Sequence, residues 1–243
     1  MGDLSAFIIH LDRATDRAAH VARMIADLPV PGEVLPAVDA RAAPAGEMAR
    51  HAPGAPLDPA YPFPLSDTEV AVFLSHRRAW GEIVSRGLPA ALVLEDDVAL
   101  DLALFPQALA LARGREYAVV RLPQKDRERG ETLAEAAGAR LIRPVEVALG
   151  MQAQLVGRGA AARLLAASET FDRPVDVFLQ MTWVHGADVL SVWPTGVRDI
   201  SASLGGSTLK KRKGLGARLS AELGRARFRR RMADLARRAG RGG

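Results

Sequence analysis

The segment Ala90–Val98, A-A-L-V-L-E-D-D-V, joins an apolar stretch directly to three consecutive carboxylates. Ala90–Leu94 has the length and composition of a strand buried in a sheet. Glu95, Asp96 and Asp97 follow it without a spacer. Because ligands of open α/β sheets bind beyond the carboxyl ends of the strands, this segment predicts an acidic functional site at the edge of a buried sheet.

Apolar runs alternate with amphipathic stretches along the rest of the chain. The predicted strands are Ala6–Leu11, Glu33–Val38, Ala90–Leu94, Tyr117–Leu122, one or two within Leu141–Val156, and Val189–Trp193. The predicted helices are Asp16–Leu28, Ser66–Arg86, Leu102–Arg113, Gly159–Ser168 and Val175–Trp183. This β-α-β order is typical of an α/β domain with a mainly parallel central sheet.

The helix predicted at 66–86 has the clearest start in the chain. Ser66 and Glu69 have the spacing of a capping box, in which each side chain bonds to the backbone N–H of the other residue. Before it, residues 39–65 contain six of the 15 prolines of the chain. A loop of this length inside a compact domain is usually functional.

One face of the same helix carries Phe73, His76, Trp80 and Ile83 at helical spacing. This pattern predicts a stripe that faces the core. His76 is therefore either a hydrogen-bonded core residue or, with Ser75, a group that stands behind the carboxylates and supports the binding of the ligand.

The three carboxylates repel one another unless something offsets their charge. On an extended backbone Glu95 and Asp97 share one face, while Asp96 points to the other. Two carboxylates about 4 Å apart repel by about 4 kcal/mol at an effective dielectric constant near 20. Oxygen ligands without cysteine suit Mg²⁺ or Mn²⁺, which use one or two protein carboxylates together with substrate phosphates. The alternative is structural, with Glu95 capping a turn and the two aspartates capping the next helix.

Three early segments resemble the opening motifs of glycosyltransferase family 25, the lipopolysaccharide-biosynthesis glycosyltransferases, many of which are β-galactosyltransferases. They are I-I-H-L-D-R-A-T-D-R at 8–17, T-E-V-A-V-F-L-S-H-R-R-A-W at 68–80 and A-L-V-L-E-D-D-V at 91–98. Further matches follow in the family's order at 148–165, at Pro174-Val175-Asp176, at 194–197 and at Ser207-Thr208. The resemblance thus covers about 8–208.

The resemblance implies a GT-A-type, Rossmann-like nucleotide-sugar fold and a UDP-hexose donor. In such a site Asp97, with Glu95 or Asp96, would hold Mn²⁺ (or Mg²⁺) against the donor diphosphate. Arg13 and Arg17 follow the first strand and would contact the nucleotide or its diphosphate, because a guanidinium matches phosphate geometry. The alternative for both arginines is a solvent-exposed position at the start of a helix.

An inverting transfer also needs a general base that takes the proton of the acceptor hydroxyl. Asp176 matches the family's P-V-D and is the predicted base, with a helix cap after Pro174 as its alternative role. Glu146 and Asp188 are the substitutes for this role.

The chain departs from the family pattern at four positions that bear on the choice of donor and acceptor. These are His10 for Asn, Thr68 for Gly, Val72 for Cys and Gln154 for Tyr. The predicted function is transfer of a hexose, galactose from UDP-galactose, onto a lipopolysaccharide or other surface glycan. The alternative is a non-catalytic, membrane-associated protein that binds a nucleotide or glycan with the same fold.

The end of the chain differs in charge from the rest. Residues 210–243 hold 13 Lys and Arg against Glu222 and Asp234, a charge of +11, which leaves −6 on residues 1–209 because the whole chain is +5. Regularly spaced apolar residues among the arginines predict a basic amphipathic helix, typical of binding to an anionic membrane surface. A solvated tail and nucleic-acid binding are the alternatives, but no motif for sequence-specific nucleic-acid recognition is present.

These features divide the chain into a GT-A-like domain at 1–209 and a basic tail at 210–243. The chain has no cysteine, so neither disulfides nor thiolate metal sites are expected. Its first residues have no basic region of a signal peptide, and no stretch approaches the roughly 18 apolar residues of a spanning helix. The sequence therefore predicts a cytoplasmic protein, peripheral at the inner membrane face.

Overall fold

The computed structural model describes residues 4–54, 57–202 and 215–240, with 215–223 as backbone only. Its centre is an eight-stranded sheet. The strands of this sheet are Ser5–His10 (β1), Gly32–Pro36 (β2), Ala90–Glu95 (β3), Ala118–Arg121 (β5), Gly130–Ala136 (β6), Ala139–Pro144 (β7), Ala153–Gly157 (β8) and Asp188–Trp193 (β9). Two further strands, Val98–Leu100 (β4) and Val197–Asp199 (β10), form a separate antiparallel pair.

The strand order in the sheet is β2-β1-β3-β8-β5-β9-β7-β6. The pairs β1–β2, β1–β3 and β5–β9 are parallel. Strand β8 runs antiparallel to both β3 and β5, and β7 runs antiparallel to β9 and β6. Six of the eight strands therefore share one direction. The predicted α/β class with a mostly parallel central sheet is confirmed.

Helices cover both faces of the sheet. They are Ala18–Asp27 (α1, preceded by a 3-10 turn at Thr15–Arg17), Ala45–Met48 (α2), Asp67–Ser85 (α3), Phe105–Ala112 (α4), Arg158–Ala167 (α5), Val175–Leu179 (α6), Thr182–His185 (α7) and Leu215–Ala239 (α8). In β1, Phe7 and Ile9 pack into the core beneath α3 and α5, whereas Ala6 and Ile8 pack into the core beneath α1 and α4. This alternation follows from the two-residue period of a strand and produces three layers.

Helix α3 begins where the capping box predicts. The Glu69 N–H donates to Ser66 Oγ at 3.3 Å, and the Ser66 N–H donates to Glu69 Oε2 at 2.8 Å. The predicted stripe is buried along its whole length, with Phe73 stacked on Phe171 at a centroid distance of 3.8 Å. The helix is therefore held at its start by its own residues and along its length by the core.

The short elements β4, β10 and α2 were not predicted from the sequence, and two larger elements also differ from the expectation. Strand β6, G-E-T-L-A-E-A, was not predicted, because it is a largely exposed edge strand without an apolar run and pairs only with β7. The helix predicted at Val175–Trp183 is two short helices, α6 and α7. The chain turns between them at Met181, whose fully buried side chain packs against Met232 of α8.

Strands β1, β3, β5 and β9 end at the same edge of the sheet, called the carboxyl edge below. It brings together His10, Glu95 and Arg121, the last residues of β1, β3 and β5. The β4–β10 pair continues from this edge, and the Ile200 N–H donates to the Asp97 carbonyl at 2.9 Å. The predicted acidic segment is therefore placed at the position where α/β folds bind ligands.

Several predictions fall on residues that the structure does not describe. They concern the Ser207-Thr208 match, the start of the basic tail at 210–214 and the boundary between 1–209 and 210–243. Among the described residues, no helix combines the length and the apolar character needed to cross a bilayer.

Candidate active site

Asp96 is the most completely engaged of the three carboxylates. Its Oδ2 lies 2.8 Å from His10 Nδ1, and its Oδ1 accepts a hydrogen bond from Arg17 Nη1 at 2.6 Å. His10 comes from the end of β1 and Arg17 from the turn before α1. Since both carboxylate oxygens already have partners, Asp96 joins the first two elements of the fold to the end of β3.

Glu95 points toward a different set of partners. Its Oε1 lies 3.4 Å from His76 Nε2, and the other ring nitrogen of His76 lies 3.4 Å from the Gln154 side-chain amide. His76 and Gln154 are each only 1% exposed. His76 is thus a core residue of α3 whose ring also contacts the Glu95 carboxylate.

Asp97 carries negative charge that its neighbours only partly offset. Its nearest cation is Arg17, whose Nη1 lies 3.8 Å from Asp97 Oδ2. Burial, together with the negative charges of Glu95 and Asp96, raises the pKa of Asp97 to about 6 against the opposing effect of Arg17. The backbone around Asp97 is held by β10, and Asp199 of that strand adds another negative charge near this carboxyl.

Glu95 and Asp97 are the carboxylates at this edge that could hold a divalent cation. Among the described residues, no group of three or more His, Asp or Glu side chains is arranged to hold a metal ion. Glu95 and Asp97 nevertheless fit the kind of site that takes only one or two protein carboxylates. Their side chains are 27% and 23% exposed, and a cation would relieve the repulsion that raises the pKa of Asp97. Asp96 does not fit, because Arg17 and His10 occupy its oxygens.

Asp176, the predicted base, lies in the first turn of α6. Its Oδ1 accepts from the Val177 N–H at 2.8 Å and its Oδ2 from the Gly150 N–H at 3.2 Å. Burial raises the pKa of Asp176 above its usual range, the two backbone hydrogen bonds act against this, and the negative charge of Glu95 adds to it. Glu95 and Asp176 are thus within electrostatic range of each other although 81 residues separate them in sequence.

Within the loop 145–152, Gly150 is the residue that contacts Asp176. Its φ of +114° is a conformation that favours glycine, and a Cβ there would lie 2.6 Å from Gln152 Oε1. Arg121 Nη2 donates to the Gly150 carbonyl at 3.0 Å. Gly150 is therefore held on one side by Arg121 and donates its N–H to Asp176 on the other.

A buried ion pair supports this loop. Arg121 and Glu128, 3% and 4% exposed, form a direct salt bridge. Glu128 also accepts from the Ala148 N–H at 2.7 Å and from the Ser191 hydroxyl. Breaking such a buried pair costs about 3–5 kcal/mol. Arg121 and Glu128 therefore hold the loop that carries Gly150 in place.

The remaining predicted site residues lie farther from this cluster. Arg13 is partly exposed and forms an ion pair with Asp39 at 2.8 Å, in the loop after β2. Glu146 pairs with Arg237 of α8 at 2.6 Å. Asp188 is exposed and begins β9, at the edge of the sheet opposite to the carboxyl edge. Neither substitute for the base therefore contacts the carboxylates of 95–97.

The residues that sequence reasoning did not assign to the site are His10, Gln154, Arg121 and Glu128. In the sequence, His10 and Gln154 stand out only as departures from the pattern of the family. The pairing of Ile9 with Glu95 across β1 and β3 is the signal that places His10 beside the acidic segment. Arg121 and Glu128 have no sequence signal, because their burial depends on β5 lying between β8 and β9.

The fold and the site together define an α/β protein that holds an acidic cluster at the carboxyl edge of its sheet, with the carboxylate of Asp176 within electrostatic range of Glu95. Residues 3–179 match the model of glycosyltransferase family 25, described as LPS biosynthesis protein. The match covers 177 of the 243 residues, so the chain belongs to glycosyltransferase family 25. The predicted family is confirmed.

Curated relatives of the chain include named galactosyltransferases and members named inactive. The chain is 36% identical to procollagen galactosyltransferase 1 of Danio rerio over 102 residues, which is 40% of this chain and 17% of the relative. It is 37% identical to the probable inactive glycosyltransferase 25 family member 3 of Bos taurus over 103 residues, with the same two shares. Procollagen galactosyltransferase 2 of Homo sapiens is 33% identical over 102 residues, 40% of this chain and 16% of the relative. The similarity thus spans about a sixth of these longer relatives.

The raised pKa of Asp97 predicts a pH-dependent effect of Asp97→Asn on stability. The folded-state pKa of Asp97, about 6, exceeds the ordinary aspartate value of 3.8. As pH rises from about 4 to above 6, the unfolded chain releases this proton first, so the carboxyl increasingly favours the unfolded state. A shift of about two units corresponds to about 3 kcal/mol. We expect Asp97→Asn to have little effect near pH 4 and to raise the free energy of unfolding by up to about 3 kcal/mol at pH 7.5.

Urea unfolding of the metal-free protein between pH 4 and 8 measures this difference. Asp27→Asn is the matched control, because it removes one exposed carboxyl at the end of α1 instead of the buried one. Parallel profiles for the wild type and Asp97→Asn would contradict the assignment of a raised pKa to Asp97.

Proposed function

We propose that the chain is an inverting glycosyltransferase that moves a hexose, galactose from UDP-galactose, onto a lipopolysaccharide or other cell-surface glycan. The observation that carries the proposal is the position of Asp176, which Gly150 joins to Arg121 at the end of β5, on the same edge of the sheet as Glu95. A donor held by Glu95 and Asp97 and an acceptor beside Asp176 would then meet in one site. Membership in family 25 and the named galactosyltransferase relatives support this reading.

The donor would bind across the end of β3, in a GT-A-type arrangement. Glu95 and Asp97 are the residues that would hold Mn²⁺ or Mg²⁺, and such an ion would neutralise the charge that develops on the departing diphosphate. Arg17 would contact the diphosphate from beside Asp97, with its guanidinium oriented by Asp96. Arg13 would reach the nucleotide only by leaving Asp39.

The reaction proposed for this site is a direct displacement at the anomeric carbon. Asp176 takes the proton from the acceptor hydroxyl as that oxygen forms a bond to C1 of the hexose. The bond between C1 and the diphosphate oxygen breaks, and the nucleoside diphosphate leaves with the electron pair. His76 acts on this step only through Glu95, whose carboxylate it orients.

A second candidate function is binding without catalysis. The observation that favours it is that relatives named inactive are as similar to this chain as the named galactosyltransferases, at 37% and 36% identity. In that case the carboxyl edge would bind a nucleotide or a glycan, and no transfer would follow.

The basic tail supports a further proposal about location. In α8, Met232 is 6% exposed and packs with Phe228 against Val177 and Met181 of the body. Arg227, Arg230 and Arg238 are exposed and form no ion pair with a described residue. These arginines, rather than the apolar face, would contact an anionic membrane surface that carries a glycolipid acceptor.

Donor binding predicts a metal-dependent thermal shift. A ligand at about 100 times its dissociation constant adds about 2.7 kcal/mol to the stability, or about 5–10 °C in Tm for a chain of this size. We expect this shift with UDP and Mn²⁺, its loss with a chelator, and its loss in Asp97→Asn, while Asp27→Asn retains it. The absence of a shift with UDP, UDP-sugars or other nucleotide sugars would contradict the proposed donor site.

Replacement of the base predicts loss of turnover with retained donor binding. We expect Asp176→Asn to lower UDP release from UDP-galactose by at least about 100-fold, the usual contribution of a general base. The Mn²⁺-dependent shift with UDP should remain. Glu146→Gln is the matched control and should release UDP at the wild-type rate, because Glu146 pairs with Arg237 away from the carboxylates. Near-normal turnover in Asp176→Asn would remove Asp176 from this role.

Membrane contact through the arginine face predicts a charge-dependent partition onto vesicles. Each basic residue near an anionic surface adds up to about 1 kcal/mol. We expect the triple change of Arg227, Arg230 and Arg238 to Gln to weaken binding to vesicles containing phosphatidylglycerol by up to about 100-fold. Binding of the wild type should fall with added salt and be absent on phosphatidylcholine alone. Equal flotation of the two proteins would exclude this face from membrane contact. The triple variant is preferable to removal of 210–243, which would also remove the Met232 contact.

A further inference from the structure

The loop 57–63 is fastened to the segment that carries the proposed base. Arg173, which is fully buried, donates to the Leu57 carbonyl at 3.3 Å and to the Pro59 carbonyl at 2.9 Å. Asp172 accepts from the Tyr61 N–H at 3.4 Å and pairs with Arg173 at 2.6 Å. Since Asp172 and Arg173 lie just before Asp176 in the chain, the loop and the base share one anchor.

The ring of Tyr61 is fixed beside α6. It packs in the cluster formed by Val177, the residue after Asp176, together with Met181 and Met232. It also meets Phe228 and Phe63 edge to face, at centroid distances of 5.3 Å and 5.6 Å. These contacts leave Tyr61 only partly buried. The ring is therefore held in one orientation next to the segment that carries the base.

The hydroxyl of Tyr61 is available to a ligand. It forms no hydrogen bond with the described part of the chain. Only Trp80 Nε1 and Arg140 Nε are fully buried side-chain polar atoms without a partner among the described residues, so within that part of the chain the Tyr61 hydroxyl is not fully buried. Burial of the ring raises the pKa of Tyr61 to about 12, with the charges of Glu69 and Asp176 adding to the effect. The phenol therefore remains protonated near neutral pH and can donate a hydrogen bond.

Helix α8 forms the outer support of this tyrosine. Phe228 contacts the Tyr61 ring, Arg225 lies over the ring of Phe63 at 5.2 Å, and Arg231 pairs with Asp58 at 3.1 Å. The match to the family model ends at residue 179, so α8 lies outside it. A part of the chain beyond the family match thus determines how Tyr61 is presented.

We propose that Tyr61, supported by Phe228 of α8, is the subsite that holds the acceptor sugar next to Asp176. The ligand class is a neutral hexopyranoside, whose C–H groups pack on an aromatic ring while a hydroxyl bonds to the phenol. This inference rests on the proposed function, because an acceptor sugar matters only if Asp176 acts on its hydroxyl. It adds the residue that selects the acceptor and gives α8 a role separate from membrane contact.

The test uses the full chain with saturating UDP and Mn²⁺. The probes are the methyl glycosides of glucose, galactose, mannose and N-acetylglucosamine, and binding is followed by saturation-transfer NMR. The variants are Tyr61→Ala, Tyr61→Phe and Phe228→Ala. The matched control is Tyr117→Ala, since Tyr117 is the other of the two tyrosines in the chain, is 50% exposed and precedes β5 at the opposite edge of the sheet.

We expect at least one methyl glycoside to bind the wild type. Its affinity should fall at least tenfold in Tyr61→Ala and about threefold to fivefold in Tyr61→Phe and Phe228→Ala. Tyr117→Ala should bind it as the wild type does. All four variants should keep the thermal shift with UDP and Mn²⁺, which also shows that they are folded.

Three results would overturn the subsite. They are unchanged glycoside affinity in Tyr61→Ala, no binding of any methyl glycoside to the wild type, and loss of the UDP shift in a folded Tyr61→Phe, which would place Tyr61 in the donor site. If the wild type itself shows no shift with UDP and Mn²⁺, the proposed function fails and the subsite with it. A normal UDP shift without a glycoside effect rejects the subsite alone.

Discussion

Asp96 is held between Arg17 and His10, and this contact makes an acidic strand end possible inside a folded protein. Three consecutive carboxylates would otherwise repel one another by several kcal/mol. Pairing the middle one leaves Glu95 and Asp97 as the two partly exposed acids of the group. It also fixes the turn before α1 against the end of β3, so that the Arg17 guanidinium has a defined position. The geometry of the acidic segment 95–97 depends on this neutralisation.

A second buried pair has the same function for the loop next to Asp176. Arg121 and Glu128 are almost completely removed from water, and a pair in that state is costly unless its hydrogen bonds are satisfied. Here they are satisfied by the backbone of the loop that ends at Gly150. Gly150 in turn donates its N–H to Asp176. One ion pair thus holds the middle acid of 95–97, and the other holds the loop whose Gly150 bonds to Asp176.

Helix α8 connects charge with packing. Its arginines make this part of the sequence strongly basic. Its apolar residues Phe228 and Met232, however, pack on α6, α7 and the loop 57–63. Arg231 and Arg237 form ion pairs with Asp58 and Glu146 of the body. The net charge of −6 in residues 1–209 is therefore complementary to the charge of α8, and part of the basic surplus is used within the molecule.

The sequence by itself determined the features that depend on neighbouring residues. The capping box at Ser66, the buried stripe through His76 and the strand that delivers Glu95 follow from local hydrogen bonds and from the periods of helix and strand. Family membership was also readable from ordered motifs. Only the tertiary structure decided that His10 would engage Asp96, that Gly150 would hold Asp176 and that α8 would support Tyr61. Each of these contacts joins residues at least 26 positions apart in the chain, and its formation depends on strand order and on burial, which local patterns do not encode.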